Sequence, residues 1–289
     1  MQNNPFNLND NDAYQEWRTR KLANYPSKLS ELIVEVNDPH NLTTAEHEKI
    51  INCCKATNMA IYASKLTGES KSIPHDLGKQ FNLIGLDNNM GADDDGITSL
   101  TVADTGTKQE YIPYTNRTIH WHTDGYYNTV NKQIKGLLLH CVRSAAEGGE
   151  NALLDHEIAY ILLRDENPEY IKALMQPEAM CIPANVVVGK ELRPMSCGPV
   201  FSTDSDGYLH MRYTKRTRSI IWKNDELTQA AVKFLENLLE SDSKYIFRAT
   251  LQAGQGLLSN NVLHDRSGFN DSQEQKRLLY RARYYQRIA

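Results

Sequence analysis

The segment RTIHWHTDG holds the residue types best suited to chemistry in this chain. In an extended strand, side chains two apart project to one side, so His122 and Asp124 can share a metal ion. A third ligand must come from elsewhere, and LLSNNVLHDRSGF offers His264 near a strand end. Two imidazoles and one carboxylate on one face of an octahedron suit iron(II) and leave the other face open for a bidentate co-substrate and oxygen. The H-x-D tripeptide is common by chance, and His120 shares a strand face with His122, so the local register stays open. Thirteen residues after His264 comes Arg277, in RLLYRARYY. A guanidinium is suited to gripping a carboxylate by two parallel hydrogen bonds, and one that reaches a protein interior calls for an anion. Arg281 lies four residues on and shares the strand face of Arg277.

The elements that would position these groups can be read from periodicity. Thr44 precedes AEHEKIINCCKATNMAIYASKL, in which Ile50, Ile51, Cys54, Met59 and Ala60 suggest one buried helical stripe. A second short helix is expected after Pro74, and Asn88–Gly96 reads as a loop. From Ile97 the character changes to short strands: ITSLTVAD, EYIPY, RTIHWHTD, QIKGLLLHCV and ENALLD. Helical patterns return at HEIAYILLRDENPEYIKALM and DELTQAAVKFLENLLE. Between them lies a hairpin turning near Asp206 and Gly207, and the end of the chain is again strand-rich. Many short strands with a few helical inserts predict a mainly β fold with flanking helices, a double-sheet jelly roll. The expectation is a single domain, with a helical part over about residues 1–95 and a jelly-roll part over about 96–289. Pro183–Pro199 is expected to act as a lid, and Arg212 or Tyr213 to line the substrate mouth.

Together, RTIHWHTDGYY, GGENALLD, GQGLLSNNVLHDRSGF and RLLYRAR resemble the TauD/TfdA family of iron(II)/2-oxoglutarate dioxygenases. The motifs follow the family's order from about Ile97 to the end of the chain. The resemblance implies a double-stranded β-helix of the clavaminate synthase-like kind. It implies iron(II) on His122, Asp124 and His264, 2-oxoglutarate on Arg277, and O2 as the oxidant. In GGEN, Asn151 stands where the family often has a threonine that contacts 2-oxoglutarate; its amide can make a similar bond. The resemblance also suggests a small amino-acid-like or betaine-like substrate, hydroxylated with release of succinate and CO2. Arg281 matches an arginine that faces the substrate's anion in the taurine-like branch. Tyr114 has the spacing of an aromatic contact to trimethylammonium in butyrobetaine hydroxylases. The carboxylate of Asp124 argues against halogenation, because related halogenases carry a small residue there.

Composition narrows the field further. Hydrophobic residues make up 40% and charged residues 24%, with a net charge of −4, so nothing global draws the chain to nucleic acid or an anionic membrane. The basic run MRYTKRTR reads as an exposed face rather than a nucleic-acid site. The five cysteines include no C-x-x-C pair and are expected to be reduced thiols in a cytoplasmic protein. Homo-oligomerisation is left open. Two competing classes are a metal-dependent hydrolase using the same three ligands and a non-catalytic metal-binding jelly roll. Neither gives Arg277 a role.

Overall fold

In the computed structural model, residues 4–88, 93, 95–187, 189–216 and 220–289 are described. Much of the expected Asn88–Gly96 loop, namely residues 89–92 and 94, lies outside them, as do residue 188 of the expected lid and residues 217 and 218 at the end of the basic run. The chain divides into two compact units: Met1–Tyr25, Trp121–Gln133 and Leu154–Ile246 form one, and Pro26–His120, Ile134–Leu153 and Phe247–Ala289 the other.

The second unit is built on a six-stranded sheet in the order Ile33–Glu35, Met59–Ala63, Gln255–Ser259, Gly136–Arg143, Leu278–Tyr284 and Thr98–Leu100. Alternate residues of the last long strand, Leu278, Tyr280, Ala282 and Tyr284, join a core cluster with Ile50, Cys54 and Leu77 from two helices. Period-two alternation therefore turns Leu279 and Arg281 to the opposite face. Gly256 is required in the middle of this sheet. A side chain there would collide with the Tyr62 ring and the Leu139 carbonyl. Without one, the Tyr62 hydroxyl reaches Nδ1 of His140 at 2.7 Å, and burial lowers the His140 pKa to about 4.

A four-stranded sheet follows the order Phe247–Ala249, Asn151–Leu154, Leu263–Arg266 and Ile119–His122. A mainly β architecture with two larger sheets and interspersed helices matches the jelly roll expected from the strand pattern. The first unit carries the helices Asn11–Ala23, His156–Glu166, Pro168–Leu174 and Glu226–Glu240. The last is capped by Asp225, which accepts from Thr228, and it buries Thr228, Ala231, Val232, Leu235 and Leu239 at helical spacing.

Several expectations need correction. The helix expected through residue 66 runs only from Thr44 to Thr57, with Thr43 rather than Thr44 as its cap. Asn58 then takes a left-handed conformation (φ 58°) and ends it. The following MAIYA becomes a fully buried strand, so sheet structure begins well before residue 96. EYIPY is two short 3-10 turns rather than a strand. Cys181 and Cys197 face each other across paired antiparallel strands and are joined as a disulfide, which leaves three free cysteines. Cross-strand neighbours are distant in sequence, and cysteine spacing alone did not show them. No described helix is long and apolar enough to cross a membrane.

Candidate metal and co-substrate site

Strand Ile119–His122 ends at the first ligand candidate, and the chain turns three residues later at Gly125 (φ 67°). Thr123 points away from its neighbours: its backbone N–H donates to the Tyr213 carbonyl and its hydroxyl accepts from the Tyr213 N–H. That alternation leaves His122 and Asp124 on the same side, with His122 Nε2 3.8 Å from Asp124 Oδ1. His264 lies on Leu263–Arg266, the neighbour of Ile119–His122 in the four-stranded sheet. One ligand atom each from His122, Asp124 and His264 lies within 4.8 Å of the other two. His120 is exposed and is not in this group. The His264 Nδ1–H donates to the Val262 carbonyl at 2.9 Å, which fixes the tautomer and leaves Nε2 as the coordinating lone pair. The imidazole, imidazole and carboxylate donor set fits iron(II).

Arg277 precedes the strand Leu278–Tyr284 and is 5% exposed. Its guanidinium lies 5.1 Å from the Phe269 ring centroid. Among the described residues, none accepts a hydrogen bond from that guanidinium; only its backbone N–H is engaged, by Asp271. Burial lowers its pKa, opposed by Cys141 and Asp271. The group borders a pocket lined by Gly149, Asn151, Thr250, Leu251 and Leu279. Asn151 donates one amide N–H to the Asp265 carbonyl at 2.6 Å, which leaves its second N–H uncommitted by that bond. A buried cation beside an amide, with no carboxylate bound to it, fits the far carboxylate of 2-oxoglutarate.

The two proposed substrate contacts differ in kind. Arg281 is half-buried on the sheet face away from the helix cluster. Tyr114 is 5% exposed, and the Lys108 ammonium sits 5.1 Å over its ring, so the protein supplies its own cation there. Arg212 does not line a mouth. It is buried, and its guanidinium donates to the carbonyls of Tyr126 (2.6 Å), Met180 (2.9 Å), Ser196 (2.7 Å) and Gly198 (3.3 Å). Tyr213 is likewise buried. Arg283 is buried and paired with Asp87, and Arg287 is half-buried against Asn58. His210 is buried as well.

Sequence reasoning missed Arg266 and Phe269 altogether. Arg266 is 3% exposed and stacks 4.8 Å from the Phe269 ring centroid. The signal available was strand parity, which puts Arg266 on the same side as His264. Tyr126 has its ring edge-on to His122, 6.5 Å between centroids.

The family model described as "Taurine catabolism dioxygenase TauD, TfdA family" matches residues 74–283. The chain belongs to that family. A "Uridine-5'-phosphate dioxygenase" of an Amycolatopsis species is 31% identical over 170 residues, covering 57% of this chain and 60% of that protein. The chain thus spans about three fifths of that relative's length. A Streptomyces protein of the same name is 28% identical over 195 residues, 66% of this chain and 70% of the relative. Among solved structures, asparagine oxygenase with Fe(II), 3-hydroxyasparagine and succinate superposes with a TM-score of 0.57 at 12% identity, covering 88% of this chain and 93% of that one. The non-heme iron oxygenase OrfP with Fe and alpha-ketoglutaric acid gives 0.61 at 15% identity, over 84% and 80%. At those identities the likeness is one of fold.

Proposed function

We propose that this chain binds iron(II) through His122, Asp124 and His264, binds 2-oxoglutarate through Arg277 and Asn151, and oxidises a small anionic molecule. The observation that carries this reading is the Arg277 guanidinium, buried without a hydrogen-bonded partner among the described residues beside Asn151. A hydrolase or a passive metal site gives such a charge nothing to do. When bound, iron, 2-oxoglutarate and oxygen supply oxidation of a C–H bond, with succinate and CO2 as co-products. The chain's own residues orient and protect. Val262 holds the His264 ring. The burial of Asp124 and His264, each 6% exposed, limits the access of water.

For the substrate, Arg281 is the anion contact we favour. The Tyr114 ring already carries Lys108, which weighs against a trimethylammonium group there. Two relatives bear the name uridine-5'-phosphate dioxygenase, which makes a nucleoside 5'-phosphate the first substrate class to test. The experiment is oxygen-dependent succinate formation from 2-oxoglutarate with a panel of nucleoside 5'-phosphates, carboxylated amines, betaines and neutral compounds. Stimulation by the phosphates, lowered by Arg281→Leu through a higher KM for substrate, supports the reading. Stimulation by neutral compounds alone overturns the anionic-substrate part. Absence of iron(II)-dependent 2-oxoglutarate binding overturns the whole.

A further inference from the structure

We infer that Arg266 is a positioning residue that sets the metal ligands and the co-substrate arginine in one frame. The inference rests on the proposed iron and 2-oxoglutarate site. Three contacts on one buried side chain carry it. Arg266 and His264 lie two apart on the strand Leu263–Arg266, so any shift of one is passed to the other. Arg266 Nη2 donates to the Thr115 carbonyl at 2.8 Å and also to the Arg117 carbonyl. Those carbonyls belong to the stretch that leads into Ile119–His122, the strand that ends on a metal ligand. The Arg266 guanidinium also stacks 4.8 Å from the Phe269 ring centroid, and Arg277 stacks on the same ring at 5.1 Å.

The sheet pairing of Leu263–Arg266 with Ile119–His122 also joins these pieces, and backbone bonds of the following loop add to it. Phe269 N–H donates to the Asn116 carbonyl at 3.0 Å, and Ser267 N–H to Glu150 at 2.8 Å. These are backbone bonds that fix the loop after the strand. Arg266 is the side chain that reaches from the His264 strand to both Thr115 and Arg117. Among the described residues, its buried Nε has no hydrogen-bond partner. A residue kept only for stability would be better replaced by a neutral side chain. A planar fork that bonds two carbonyls while its face lies on an aromatic ring is what Arg offers and Lys does not.

The test uses Mn(II) as an oxygen-inert metal probe and 2-oxoglutarate, titrated into the full-length chain and into Arg266→Met, Arg266→Lys and Phe269→Leu. Thermal unfolding of each protein is followed alongside. For Arg266→Met, we expect Mn(II) affinity and 2-oxoglutarate affinity both to fall on the order of tenfold or more at temperatures where the variant is folded. Arg266→Lys should recover part of the metal affinity, through one carbonyl, and none of the ring stacking. Phe269→Leu leaves the carbonyl bonds in place, so it should weaken 2-oxoglutarate and spare Mn(II). Affinities within about twofold of the parent in both Arg266 variants, with only a lower Tm, would overturn the inference. So would equal loss of Mn(II) in Phe269→Leu, which also decides the matter if Arg266→Met does not fold. Failure of the parent chain to bind Mn(II) or 2-oxoglutarate is a different result, and it counts against the proposed site itself.

Discussion

Nδ1 of His264 lies 2.9 Å from the carbonyl oxygen of Val262, two residues back along its own chain. The bond is local, but it occupies Nδ1 and so leaves Nε2 as the lone pair with which His264 can join His122 and Asp124 on a metal. His122→Ala, Asp124→Ala and His264→Ala should each weaken iron(II) or Mn(II) binding by orders of magnitude and leave the far-UV circular dichroism unchanged. His120→Ala should bind metal normally, because that side chain is exposed and outside the group. Metal titration of the four variants checks both halves, and loss of metal in His120→Ala alone would show the register to be wrong.

Arg277→Ala should raise the concentration of 2-oxoglutarate needed while metal affinity holds. Losing one partner of a desolvated, charge-assisted pair costs about 2–5 kcal/mol, on the order of tens to thousands of fold in affinity. Anaerobic titration of 2-oxoglutarate into the iron(II) protein, followed by its weak visible charge-transfer band, measures this. An unchanged midpoint would move the carboxylate to another cation, with Arg281 the next to test.

Lys21 is buried between Asp155 (2.7 Å) and Glu157 within the first unit. Burial alone would lower the Lys21 pKa, but the two carboxylates outweigh it and raise it. For Asp155, burial would raise the pKa, yet Lys21 and its neighbours bring it below its usual range. The depressed Asp155 contributes stability above its unfolded pKa of about 3.9, lost as pH falls through its folded value. The raised Lys21 contributes stability below its unfolded pKa of about 10.4, lost as pH rises through its folded value. Lys21→Met should therefore cost about 3–5 kcal/mol at neutral pH by stranding two buried carboxylates, and the deficit should shrink toward pH 4. Urea unfolding across that range is the check; a deficit that does not change with pH would assign the loss to packing.

Arg212 bonds the backbone carbonyls of Tyr126, Met180, Ser196 and Gly198 with one guanidinium. Arg212→Met fills much of the volume and leaves those carbonyls without their donor, at about 1–3 kcal/mol each where they stay buried. We expect a clear fall in Tm and faster amide exchange over residues 196–198, which the disulfide at Cys197 and the bond from Ser196 Oγ to Asn128 otherwise hold. With that anchoring, we expect motion within Pro183–Pro199 to be confined to the hairpin formed by Asn185–Val187 and Lys190–Arg193. Exchange at 196–198 that matches the hairpin in the parent protein would contradict it.

Local patterns were legible because they need only neighbouring residues. Parity alone placed His122 beside Asp124, and the stripe of Ala231, Val232, Leu235 and Leu239 announced its helix. The hairpin at Gly207 was equally plain from its turn chemistry. MAIYA was misread as helix because a short apolar run has no period of its own. Its pairing with Gln255–Ser259, nearly two hundred residues on, made it a strand.

The sequence by itself determined which chemistry was available: two histidines, a carboxylate and a late arginine in the order of a known family. Only the tertiary structure decided which charges were already satisfied. Arg212 and Arg283 found partners within the protein, Lys108 covered the Tyr114 ring, and the Arg277 guanidinium was buried beside Asn151 with no hydrogen-bond acceptor among the described residues. The reason is physical. A side chain's identity fixes what it can bind, but its environment fixes whether binding is still needed, and that environment is assembled from strands far apart in the chain.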